Sequence, residues 1–292
     1  MSMAEAIPEA DFFGDSSALT ETPTESKDRV GRGRIGDWVL RLIAWWVLFY
    51  LFVPLAVIVV FSFNAPVGKF NLTWHGFSLD AWKDPFKYPQ LTDALVTSLK
   101  VAAVSTLIAV VLGSLMAIAL VRQRFRGQEG LNLLLVIPLT APEVVLGSSL
   151  LTLFLDLGWN TGFTTIVIAH VMFQISFVAL TVKARVRGFD WTLEDAGMDL
   201  GASPTRTFFK VTLPLIVPGI IAAAMLSFAL SLDDFIITYF NSGSTVTYPL
   251  YVNSAVKAGL PPQIDVLATM ILVASIALLA VGTLYRRRRP VV

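Results

Sequence analysis

The chain has 292 residues, 55% of them hydrophobic and only 15% charged, and a mean hydropathy of +0.70, which excludes a pair of water-soluble domains and points to a lipid bilayer. A net charge of +1 provides no global field for nucleic acid or another polyanion, and the absence of cysteine removes disulfides, thiolate metal sites, iron–sulfur clusters and a cysteine nucleophile.

Residues 1–36 carry Glu5, Glu9, Asp11, Asp15, Glu21, Glu25 and Asp28, then a basic patch, with almost nothing to bury; a disordered tail is expected. An acidic start, then bases, then a full-length apolar run is not the order of a cleaved secretory signal, so the first span is expected to remain as an anchor. The run from Gly31 to Gly36 matches G-x-G-x-x-G, but that loop needs a preceding strand in a βαβ unit and here reads as a flexible basic linker.

Residues 37–292 read as one membrane domain. A spanning helix needs about 20 mostly apolar residues, and six stretches qualify: 42–63, 101–121, 131–155, 163–182, 215–240 and 266–285. The run at 42–63 lacks the alternation of a barrel strand. The predicted fold is all-α and polytopic, with six transmembrane helices. Lys and Arg gather at 27–41, 122–126, 183–210 and 286–289, whereas the loops on the other side hold Lys69, Lys83, Lys87 and Lys257. The positive-inside rule then predicts cytoplasmic N- and C-termini.

In the first external loop, Trp74, Phe77, Trp82 and Tyr88 suit either cation–π contact with an ammonium group or anchoring at the membrane interface. Asn71-Leu72-Thr73 fits a glycosylation sequon that a bacterial membrane protein would rarely use. In the third span, Pro138 and Pro142 free backbone carbonyls just before Glu143, which lies about 18 Å from the inner end at 1.5 Å per residue. In the fourth, His170 and Gln174 share a face at i, i+4 and are expected to be interhelical hydrogen-bond partners rather than metal ligands.

The loop at 183–213 is expected to hold two short helices. Thr192 and Asp195 read as a capping box, with Gly201 ending the helix through a left-handed residue. Ser203 can cap a second helix with Pro204 at its first position, ending before Pro214. Both expose Ala196, Met198, Leu200, Phe208 and Phe209, and a receiving partner is expected to stabilise them.

In the fifth span, Asp233 and Asp234 lie about 22 Å from the inner end, close to the depth of Glu143. A charge there costs roughly 2.5–3.5 kcal/mol on insertion scales and persists mainly when it faces a cavity or a partner. No Lys or Arg shares that depth, since Lys100 can snorkel outward. An acidic pathway of this kind favours a cationic solute. The other reading is that these acids hold helices together through Ser231, Gln174, His170 or a partner subunit. Adjacent helical residues point about 100° apart, so both aspartates face one cavity only if the helix unwinds there.

Glu194-Asp195-Ala196, Gly201 seven positions after the glutamate, and Val211-Thr212-Leu213-Pro214 resemble the E-A-A…G…I-x-L-P loop of permease subunits of bacterial ABC importers. Asp195 departs from the usual alanine and Val211 from isoleucine. The resemblance implies a type I ABC importer permease fold. It also implies a coupling loop docked in an ATPase groove, with Glu194, Asp195, Ala196, Gly201, Leu213 and Pro214 as coupling positions. No G-x-x-x-x-G-K-[ST] sequence occurs, so ATP phosphates are expected to be held by another polypeptide.

From about Ile43 onward the chain is further similar to spermidine/putrescine importer permeases of the second-subunit type. The similarity is carried by Phe63-Asn64 with Trp74-x-Gly76-Phe77, Pro142-Glu143-Val144-Val145, Arg187-Gly188-Phe189-Asp190, Leu230-Ser231-Leu232-Asp233-Asp234 and the stretch 248–269. It implies a polyamine pathway at Trp82, Glu143, Ser231, Asp233 and Asp234, with Glu143 where an aspartate is common. The implied partners are a homologous permease in a heterodimer, two cytoplasmic ATPases holding ATP and Mg, an extracytoplasmic polyamine-binding protein and the lipid of a bacterial cytoplasmic membrane, with no nucleic acid. A transport subunit without covalent chemistry is expected. The alternatives are the same architecture moving an opine, another amine, an amino acid or ferric ion, and, more remotely, a carboxylate-lined cation channel.

Overall fold

The structure, a computed structural model, describes residues 34–123 and 125–287. The expected disordered tail lies, up to residue 33, outside the described residues, as do Arg124 and the basic cluster from Arg288 on. The chain divides into two compact units at Leu55, inside the first helix. That helix, α1 (Arg34–Phe61), is apolar around its circumference and exposes Trp38, Trp45, Trp46, Tyr50 and Phe52, the pattern of a helix made for lipid or for another helix.

Among its described residues, the regular elements of the second unit are all helices, beside two isolated backbone bridges in loops. It comprises α2 (Asp80–Lys83), α3 (Pro89–Arg122), α4 (Gln128–Thr140), α5 (Glu143–Asp156), α6 (Phe163–Arg187), α7 (Thr192–Asp199), α8 (Pro204–Thr207), a π-helical turn (Phe208–Thr212), α9 (Leu213–Asp233), α10 (Ile236–Asn241), α11 (Tyr248–Ala258) and α12 (Pro262–Arg287). Among the described residues, Asp37–Phe61, Pro89–Arg122, Phe163–Arg187 and Pro204–Asp233 are long and apolar enough to cross a membrane, and α4 with α5 makes a fifth if that bent pair is one span. The predicted sixth stretch falls within α12 (Pro262–Arg287), where the apolar helix among the described residues is Pro262–Ala277.

The core is the seam where α3 packs on α6 and both pack on α9, filled by Ala109, Ala117, Val178, Val182, Ile216 and Ala223. Small residues set the spacing: a Cβ on Gly113 would lie 2.8 Å from Cβ and Cγ1 of Val178. Close backbone approach through small residues is how membrane helices gain packing when lipid is as apolar as their side chains.

Three sequence expectations need correction. The third span is not one helix: α4 and α5 meet at 106°. Pro142 forces the residue before it out of helical geometry, and Ala141 accordingly stands at φ −72°, ψ 139°. The second short helix of the 183–213 loop does not stop before Pro214 either. It runs through the π turn, where Leu213 N–H donates to the Phe208 carbonyl five residues back, and this wider ring absorbs the missing N–H of Pro214. Finally, the fifth span ends at Asp233. Asp234 has extended backbone, and the chain resumes as α10 at Ile236.

Candidate functional site

The centre of the site is a buried polar cluster on the α3, α6 and α9 seam. Ser105 anchors it near the middle of α3, about 25 Å from either end at 1.5 Å per residue. His170 on α6 is buried, with Nδ1 2.7 Å from Ser231 Oγ and Nε2 2.9 Å from Thr238 Oγ1 and 3.2 Å from Asp234 Oδ2. Thr238 donates to the same carboxylate oxygen through its backbone N–H and its hydroxyl, both at 2.8 Å. Ser231 and Ser105 are 3.2 Å apart, and Gln174, one turn after His170, donates to Ser105 Oγ at 3.2 Å. Buried polar groups must find such partners, and here α6 supplies both the ring and the amide at i, i+4.

The helix break between α9 and α10 separates the two aspartates. Asp234, on extended backbone, turns into the cluster, where its charge meets His170 and Thr238. Asp233, the last residue of α9, is exposed and makes no ion pair among the described residues. Glu143 is in the same situation: it is exposed, unpaired by any base among the described residues, and sits at the first position of α5, where the positive end of the helix dipole favours a carboxylate. The helix bearing Glu143 packs on α10, the short helix that follows the two aspartates. There a Cβ on Gly147 would lie 2.8 Å from the Phe240 ring, and Asn241 Nδ2 donates to the Gly147 carbonyl at 3.2 Å.

Trp82 is not part of this cluster. Its Nε1 donates to Ser62 Oγ at 3.3 Å and its ring stacks on Phe63, centroids 5.3 Å apart. It belongs to the Pro89 end of α3, where the first loop is tied down by two asparagines. Asn64 donates to Asn71 Oδ1 and to the Thr73 carbonyl, both at 2.7 Å, while Asn71 Nδ2 donates to the Phe61 carbonyl at 2.9 Å and to Asp265 Oδ2 at 2.8 Å. The amide nitrogen of the sequon is therefore buried and committed. Beside this knot a cavity of about 730 Å³ is lined by Lys69, Asp80, Asp84, Lys87, Tyr88 and Tyr251 among others. Lys83, hydrogen-bonded at 2.8 Å, holds the Asp80 carboxyl below its ordinary range. Burial, and then the Asp265 charge, push the Tyr248 phenol above its ordinary value, so it remains a donor to the Ile264 carbonyl.

At the opposite, Arg122 end of α3 lies the α7 to α9 loop. The capping box predicted from Thr192 and Asp195 is not formed. Asp190 caps instead, its Oδ1 accepting from Thr192 N–H at 3.1 Å and Oγ1 at 2.8 Å. Gly201 takes φ +85° at the end of α7, a conformation that suits a residue without Cβ, and Ser203 accepts from Arg206 N–H at 3.3 Å. Leu193, Ala196, Met198, Leu200 and Phe209 are exposed, Leu200 to 90%, while Phe208 is half-buried. Asp195 and Pro214 are exposed and Leu213 half-buried. Glu194 points inward: it is buried, accepts from the Thr212 hydroxyl, and lies 2.9 Å from Arg122 Nη2.

Sequence reasoning picked out His170 and Gln174 from their spacing but did not assign Ser105, Thr238 or Arg122. Ser and Thr in apolar spans carry no distinguishing pattern, and the Arg122 contact spans 72 residues of chain.

Residues 109–288 match the family described as binding-protein-dependent transport system inner membrane component. The spermidine/putrescine transport system permease protein PotC of Haemophilus influenzae is 37% identical over 240 residues, covering 82% of this chain and 93% of that protein. The putrescine transport system permease protein PotI of Escherichia coli K12 is 40% identical over 231 residues, 76% of this chain and 82% of its own length. Among solved structures, a bacterial ABC transporter involved in import of the acidic polysaccharide alginate aligns with a TM-score of 0.64 at 14% identity, over 86% of this chain and 96% of that chain. An amino acid ABC transporter aligns at 0.56 with 17% identity, over 73% and 100%.

Proposed function

The chain belongs to the binding-protein-dependent transport system inner membrane components, and from that membership we infer that its unpaired carboxylates line the substrate path of a polyamine importer. It is a permease subunit of an ABC importer for spermidine or putrescine, a multi-pass inner-membrane transport protein rather than an enzyme, and ATP hydrolysis resides in a separate subunit.

In the finer reading the chain contributes six spans, with α12 completing the sixth and both termini cytoplasmic, as the clustering of its bases supports. It pairs with a homologous permease, so that the exposed apolar faces of α1 and α5 meet that partner or lipid. Two ATPases holding ATP and Mg dock on the 183–213 loop, and an extracytoplasmic binding protein delivers the solute. The exposed Ala196, Met198, Leu200 and Phe209 are an apolar surface suited to insertion in a groove.

The observation that carries the pathway is the division of labour between neighbouring acids. Asp234 is held inside the protein by His170 and Thr238, whereas Asp233 and Glu143 stand exposed at helix ends with no ion pair among the described residues. Broken helices of this kind present side chains and backbone carbonyls together, a combination that can replace water around an ammonium group. Trp82 supplies an aromatic face nearer the entrance, and Ser231 orients the cluster behind the acids. The test is uptake by reconstituted complexes carrying Asp233→Asn or Glu143→Gln. The expected result is a fall of about tenfold or more, as loss of one charge-assisted contact of about 1.5–3 kcal/mol implies. Uptake at the parental rate in both would overturn the assignment.

A further inference from the structure

Arg122 is the last residue of α3, the helix that also holds Ser105 at its middle and packs against α6 and α9. Its guanidinium reaches out of the helix end to Glu194 Oε2 at 2.9 Å and lies 5.8 Å from the centre of the Trp191 ring. The other carboxylate oxygen, Oε1, accepts from the hydroxyl of Thr212 in the π turn that feeds α9. One buried carboxylate on α7 therefore gathers the end of α3 and the beginning of α9. Both of those helices carry residues of the polar cluster, Ser105 on α3 and Ser231 on α9. A carboxylate held from two sides and shielded from water transmits displacement, because breaking either contact leaves a buried charge or an unpaired acceptor.

We propose that Arg122 is a positioning residue for energy coupling: it links α7 to α3 through Glu194, so that movement of α7 imposed by the ATPase shifts α3 and the carboxylate pathway with it. This rests on the importer reading and adds to it a load path that runs inside the chain. Glu194 acts inward, on Arg122 and Thr212, while the exposed apolar residues of α7 and the Leu200 corner face the ATPase. The Trp191 ring keeps the guanidinium over α7 by cation–π attraction.

The experiment uses the complete importer in proteoliposomes and reads polyamine taken up per ATP hydrolysed, alongside the amount of assembled complex. Wild-type complex that shows no ATP-driven uptake of putrescine or spermidine would refute the importer reading itself. Given wild-type uptake, Arg122→Gln is expected to lower uptake per ATP by about tenfold, within the usual range of coupling between two sites. Arg122→Lys should recover part of the ratio, and the exchange Arg122→Glu with Glu194→Arg should exceed either single reversal, as a double-mutant cycle requires of an interacting pair. An unchanged ratio in Arg122→Gln, a fall explained wholly by lost complex, or a reversal pair no better than its singles would each overturn the proposal.

Discussion

Asp233 and Asp234 are adjacent in sequence and opposite in circumstance. Asp234 accepts from Thr238 N–H and Oγ1 and faces His170, so Asp234→Ala leaves buried donors unpaired. Each orphaned donor costs about 1–3 kcal/mol, and the expected outcome is a clear drop in the melting temperature of the purified complex, read by thermal scanning. Asp233→Ala should leave melting nearly unchanged and act on uptake alone. A similar stability effect is expected of Asn71→Ala, which removes the donor to Phe61 and Asp265 and the acceptor for Asn64. The acids were legible in the sequence because charge in an apolar run is conspicuous. Which of them turns inward was not, since it depends on extended backbone at Asp234 that no local pattern announces. Glu194 stood out in the sequence through the loop it resembles, but its inward aim depends on Arg122, a long-range partner with no local signature.

At the scale of elements, helices close on one another where side chains are absent. Gly113 on α3 faces Val178 on α6, and a Cβ there would be 2.8 Å from two of its carbons. Gly113→Leu should force the pair apart at a cost of about 1–3 kcal/mol or more, seen as reduced yield of folded protein and faster protease cleavage. Gly130→Ala, with open space around its Cβ position, should be tolerated in the same assays. Four of the predicted spans were readable as long apolar helices because length and hydropathy are local properties. The 106° break between α4 and α5 was half-readable: Pro138 and Pro142 marked the place, but a proline signals a disruption without its angle. The π turn at Phe208–Thr212 was not readable. It reconciles Ser203 capping, Pro214 and a continuous path into α9, and only their combination requires it.

At the scale of the whole molecule, a single chain displays exposed apolar helices and, at two helix ends, Asp233 and Glu143 without an ion pair among the described residues, and these make sense as parts of a larger machine. The relatives named as polyamine permeases supply the class of that machine, and the His170, Ser231 and Asp234 cluster is buried next to the exposed Asp233. The net charge of +1 concealed this arrangement, because bases clustered at 27–41, 122–126, 183–210 and 286–289 offset acids spread over the first residues, the loops and the helix ends. The most direct measurement is ATP-driven uptake of labelled putrescine and spermidine by the complete importer, with its binding protein, in proteoliposomes challenged by unlabelled polyamines, arginine, an opine and ferric ion. Accumulation that requires ATP and is competed by the polyamines alone is the predicted result. ATP-driven accumulation of one of the other solutes, with polyamines neither carried nor competing, would contradict it.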